Sequence, residues 1–175
     1  MNLLHSRILF LVLLLGLRLA HADVHFRHFE GDADETKWQE SEWVLPDFPK
    51  EEALLEFYVS AVTANRFFVD AKSISVGPDL VVRFTLVVKT AGGATNVSFE
   101  GLRCDALEHR LYATGRTDGT WAKAPAREWQ PIENKPINNY HASLSRNYFC
   151  PNRFPVANSD EARDALRRGK HPAAQ

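Results

Sequence analysis

The sequence predicts an α+β protein in which an antiparallel β-sheet meander packs against a C-terminal helix, with one disulfide. Three observations carry this reading. Alternating apolar runs separated by glycine-bearing turns fill the centre of the chain, from "NRFFVDAKSISV" to "EHRLYATG". Helical spacing begins only late, in "INNYHASLSRNYF". One cysteine falls in each region, Cys104 and Cys150.

The beginning of the chain has the layout of a secretory signal. Arg7 precedes an apolar run broken only by Arg18, and Ala20-His21-Ala22 is a small-x-small cleavage pattern. A signal peptide is therefore expected over residues 1–22. The apolar run falls short of the roughly 20 residues a membrane span needs, so no span is expected after cleavage. Arg7 and Arg18 would leave with the signal, taking the net charge from −1 to −3. A mildly acidic chain without a basic stripe argues against nucleic acid as a partner. An even cysteine count in an exported chain favours a disulfide.

Residues 23–43 are polar and acidic, with little periodicity, and read as a flexible arm. Pro46 and Pro49 mark entry to a single domain over 44–157. In "KEEALLEFYVSAV", Leu55, Phe57 and Val59 alternate with polar neighbours, which favours a strand. "NRFFVDAKSISV" reads as the next strand, ending at the turn Gly77-Pro78-Asp79. In "LVVRFTLVVK", Leu80, Val82, Phe84, Leu86 and Val88 share one face, and Arg83, Thr85 and Lys89 the other. "TNVSFEGLRC" changes parity: Val97 and Phe99 lie on one side, Leu102 and Cys104 on the other. A bulge at Gly101 would bring all four to the core. Turns are expected at "TAGGAT", Asp105-Ala106 and Asp118-Gly119.

The helix that follows places Ile137, Tyr140, Leu144 and Tyr148 on one stripe and ends just before Cys150, since Pro151 forbids continuation. Residues 158–175 read as a short helix with Ser159 as N-cap and Gly169 as stop, then a loose tail.

Chemistry-bearing residues are few. Cys104 with His109 would make a nucleophile and base only in an electropositive pocket. His109 instead reads as part of an arginine-rich outer face, beside Arg103 and Arg110. Zinc wants four closely spaced ligands, which the two distant cysteines do not offer. Glu51 with Glu52, or Glu100 with Glu108, would do acid–base work only if they faced each other across a cleft, and a solvated strand face explains Glu100 and Glu108 as well. No nucleophile elbow, phosphate loop, dinucleotide fingerprint or His-Glu-x-x-His motif is present, so neither catalysis nor a cofactor is expected. "NVS" at Asn96 matches a glycosylation acceptor by chance.

Two binding possibilities remain. Cleavage after Ala22 would expose Asp23-Val24-His25, whose amine, two amides and imidazole can wrap Cu(II) or Ni(II) in a square plane, with His28 as a further ligand. Trp129, Asn134, Tyr140 and His141 are expected to border a small-ligand or peptide groove beside the late helix.

The segments "RFFVDAKSISVGPDLVVRFTLVVK", "NVSFEGLRCDALEHRLYATG", "EWQPI" and "NNYHASLSRNYFCP" resemble the cryptic-neisserial-protein-like family of exported bacterial proteins. A looser likeness is to the surface-adhesin protein E fold, which implies a sheet tied to a C-terminal helix by a disulfide, here Cys104 with Cys150. The resemblance implies a periplasmic or secreted envelope protein without an assigned reaction. A non-enzymatic binding or interaction module is the expected function, its partner an envelope protein or small ligand.

Overall fold

The computed structural model of the protein describes residues 38–125, 128–133 and 139–174. Among these described residues eight strands form one sheet: β1 (Leu54–Phe57), β2 (Arg66–Asp70), β3 (Ser75–Val76), β4 (Val81–Lys89), β5 (Thr95–Arg103), β6 (Glu108–Gly115), β7 (Trp121–Lys123) and β8 (Gln130–Pro131). They run in the order β1-β2-β4-β5-β6-β7, with β3 on β4 and β8 on β6, and every pairing is antiparallel. The stretch expected as one strand over 65–76 is broken into β2 and β3. Asp70 causes the break: its side chain accepts from the Lys72 amide and its carbonyl from Ser73, a turn that Asp forms readily. Leu80 also departs from its expected face. It has φ 62° and is exposed, because it closes the turn that begins at Gly77.

A late helical segment covers one face of the sheet. It starts as α1 (Tyr140–Ser143), continues in wider π-helical turns over Leu144–Phe149, and ends before Cys150 as Pro151 requires. Leu144, Tyr148 and Phe149 pack with Val82, Phe84, Leu86, Leu102 and Cys104 in the main core. The Cys104–Cys150 disulfide joins β5 to the end of this segment, with Cα atoms 5.2 Å apart. A second helix, α2 (Ser159–Arg167), adds Ala162 and Leu166 to the same core. Its N-cap is Asn158 rather than Ser159: the Asn158 side chain accepts from the amides of Asp160 and Glu161. The tail is tied down, with His171 buried and bonded to Glu161 and to the Asn147 carbonyl.

No bulge at Gly101 is needed, because both sheet faces are covered. Phe99 joins Tyr112, Ala113, Trp43, Leu45 and Trp121 in a second, smaller core on the opposite face. The change of parity in "TNVSFEGLRC" is thus ordinary alternation between two cores. The irregularity lies in β6, where Phe99 pairs Ala113 and Glu100 pairs Leu111, leaving Tyr112 as the extra residue.

Residues 38–43, the described part of the expected acidic arm, are docked on this second face rather than loose. The Trp38 indole donates to the Asp79 carbonyl, and the Ser41 amide to the Asp79 carboxylate at 2.8 Å. Glu40 takes bonds from Arg83, Arg110 and the Tyr112 hydroxyl. Gly101 lies beneath Tyr112, where an added Cβ would sit 2.6 Å from the hydroxyl oxygen and 3.0 Å from Val81. Gly101→Ala is therefore expected to cost about 1–3 kcal/mol by overpacking, read as a lower denaturant midpoint at unchanged slope.

Candidate functional site

Alternation along β5 puts Glu100 on the same face as Leu102 and Cys104, under the helical segment. On β6, His109 pairs Leu102 and Leu111 pairs Glu100, so both point to that face as well. The first turn of α1 brings Tyr140 and His141 down onto them. The result is a compact cluster of one carboxylate and two imidazoles. His141 Nε2 lies 2.5 Å from Glu100 Oε2, and the rings of His109 and His141 stack with centroids 3.7 Å apart. Ser98 holds the other carboxylate oxygen, its hydroxyl donating to Glu100 Oε1 at 2.5 Å. The Glu100 side chain is 5% exposed and that of His141 16%. Neither Glu100 nor His109 lies on the outer face expected of it. The Asp105–Leu107 turn sets a register in which Arg103 and Arg110 face away, toward Trp38 and Glu40, while His109 between them faces in.

Burial dominates the electrostatics here. By itself it would raise the Glu100 pKa, but the hydrogen bond and charge of His141, with the Ser98 hydroxyl, bring it below the usual value. His109 is lowered to about 4, first by burial and then by His141. It is thus a neutral imidazole at neutral pH, with a lone pair to offer. The Tyr140 hydroxyl is raised, by burial and then by the Glu100 charge.

The cluster opens into a cavity of about 160 Å³ lined by Glu100, His109, Leu111, Glu128, Gln130, Tyr140 and His141. A shallow groove of about 490 Å³ continues from it along the part of this face that the helical segment leaves open, sharing Glu100, Leu111 and Tyr140. Its floor includes Phe67, Leu86 and Val88, its polar rim Asn65, Asn96, Ser98 and Thr114. Another depression, of about 430 Å³, lies beside the disulfide near Leu107, Ile132 and Arg146, where no such cluster of carboxylate and imidazoles converges.

Of the expected groove residues, Tyr140 and His141 are together, their rings 4.2 Å apart. Trp129 is not with them. Glu128 and Gln130 face the cavity, and Trp129 between them turns the other way, edge-on to Trp38 at 5.8 Å and near Arg103. Asn134, and the Asp23, His25 and His28 of the copper or nickel reading, lie outside the described residues. Cys104 is no nucleophile, being spent in the disulfide.

A sheet pinned by one disulfide to a π-widened helical segment, with a carboxylate–imidazole cluster at their seam, defines a small α+β protein with a small cavity at that seam. The chain belongs to the CNP1-like family, the cryptic neisserial protein family, which it matches over residues 33–167. No curated protein and no solved structure matches it. Among the described residues no helix is long and apolar enough to cross a membrane.

Proposed function

We propose that this chain is an exported envelope protein, periplasmic or secreted, and that it serves as a non-enzymatic binding module. The signal-like first 22 residues support export, and the buried disulfide is compatible with an oxidising compartment. The observation that carries the binding role is the groove running into the Glu100 cavity. An apolar floor with a polar cluster converging at one end suits a small mixed ligand or a peptide end. An acyl-transfer enzyme would need a hydroxyl bonded to an imidazole, which is in turn oriented by a carboxylate. Here Ser98 and His141 both bond the carboxylate, so the serine lacks the base that would activate it.

Capture from an envelope extract tests this reading. Wild-type protein is expected to retain a component that a groove-filling Thr114→Trp variant does not. Equal recovery by both would place binding elsewhere, and a chain found uncleaved in the cytoplasm would end the export reading.

A further inference from the structure

We propose that Glu100, His109 and His141 bind a divalent transition-metal ion of the zinc class, with an open coordination position facing the cavity. The site extends the binding role, since it lies in the same cavity, but it stands on separate observations. One ligating atom from each residue lies within 4.8 Å of the other two. The three come from three elements, β5, β6 and α1, so the fold and not local sequence assembles them. A hydrogen bond pinning helix to sheet needs only one imidazole on Glu100. The second imidazole supplies a third donor and completes a two-histidine, one-carboxylate set. Zinc holds nitrogen and carboxylate oxygen at about 2.0–2.2 Å, which places its ligand atoms roughly 3.3 Å apart. The 2.5 Å contact between His141 and Glu100 would open by under about 1 Å, and one imidazole would turn out of the His109–His141 stack to aim its nitrogen at the shared ion.

The surroundings favour a cation. Among the described residues neither Lys nor Arg lines the cavity, whereas Glu128 stands at its wall. Ser98 fixes Glu100 Oε1 and leaves Oε2 turned toward the imidazoles, as outer partners do for metal-ligating carboxylates. Two imidazoles with one carboxylate suit zinc, cobalt and their neighbours and not calcium or magnesium, which take oxygen donors. With three protein ligands, a tetrahedral ion keeps one place for water or for a ligand atom arriving along the groove.

The test uses the full exported protein, stripped of metal by chelator with its disulfide intact. Zn²⁺ is titrated by calorimetry and Co²⁺ followed by its visible absorption, with Ca²⁺ and Mg²⁺ as controls. One Zn²⁺ per chain is expected, with a rise in melting temperature of about 5–10 °C at a hundredfold excess over Kd. Glu100→Gln and His109→Gln should weaken binding at least about 100-fold, and Ser98→Ala about 10–100-fold. Circular dichroism verifies folding. Should Glu100→Gln fail to fold, the half-buried His109→Gln and Ser98→Ala carry the test. His25→Ala separates this site from the chain's beginning, whose nitrogens favour square-planar copper or nickel. Absence of Zn²⁺ and Co²⁺ binding to folded wild type would overturn the proposal. So would binding that survives His109→Gln but is lost in His25→Ala. The groove capture above reads out independently, so either idea can fail alone.

Discussion

Arg83→Met is expected to lower the unfolding free energy by about 3–5 kcal/mol and to free the segment that begins at Trp38. Arg83 is 3% exposed near the start of β4. Its guanidinium meets the Asp79 carboxylate at 2.5 Å and Glu40 at 3.1 Å, and lies over the Tyr112 ring. Asp79 in turn accepts from the Ser41 amide, and its carbonyl takes the Trp38 indole. One cation thus neutralises two enclosed carboxylates, one of them on the docked segment. Methionine would keep much of the volume but leave both charges without it, and removing one partner of a buried pair costs far more than the pair contributes. Urea titration gives the loss. Hydrogen exchange at the Ser41 amide separates undocking of the segment from global unfolding.

The same pair has a signature on acidification. Burial raises the Asp79 pKa, but hydrogen bonds from Arg83, Ser41 and Val81 outweigh it, and the folded value lies below that of an ordinary aspartate. A carboxylate depressed on folding contributes stability that is fully present above its unfolded pKa. That stability is lost as pH falls through the folded one. Wild-type stability should therefore decline as pH drops below about 4. In Arg83→Met that part of the decline should shrink, because the hydrogen bonds that depress Asp79 are weakened. An unchanged acid limb in the variant would show that Asp79 is held by the backbone amides instead.

Much of the architecture was legible in the residues. The alternation of Val82, Phe84, Leu86 and Val88, the turns at Gly93 and Gly119, and the stripe through Tyr140, Leu144 and Tyr148 are local patterns, and local patterns survive folding. The disulfide was legible from the even cysteine count together with the export expected of the chain. The site was not, because a partner changed the meaning of a parity. Leu102 and Cys104 disagree in parity with Phe99, and a one-core view requires a bulge to reconcile them. Two cores remove the conflict, and the same alternation then carries Glu100 inward beside Leu102. The missing signal was the docked segment 38–48, whose charges pair only with residues distant in sequence, such as Glu40 with Arg110. An acidic stretch without periodicity looks solvated until Arg83, Arg110 and Tyr112 are known to face it. His109 shows the same limit. Two flanking arginines suggested an outer face, yet alternation sends them and the histidine to opposite sides.

Loss of the Cys104–Cys150 bond is the second large effect, at about 4 kcal/mol for a loop of this length in the chain-entropy account. The bond closes a loop of sequence separation 46, which contains all of β6, β7 and β8 and the whole helical segment. Reduction leaves the core packing in place while enlarging the unfolded ensemble, so the denaturant midpoint should fall while the native spectrum is kept. Cys104→Ala/Cys150→Ala should behave alike, with a further small loss from the missing sulfur atoms in the core. Both sulfurs are held in the disulfide, so thiol alkylation of denatured, unreduced protein is expected to add nothing, and two groups after reduction. The bond also has a local consequence. His141 rides on the helical segment and Glu100 on β5, and the disulfide ties the end of that segment to the residue following β5. Reduction should therefore loosen the Glu100–His141 contact before the sheet itself unfolds. Hydrogen exchange would then rise first over 140–150 and only later in β4 and β5. Uniform acceleration across both would mean that helix and sheet open as one unit, held by Leu144, Tyr148 and Phe149 and not by the covalent tie.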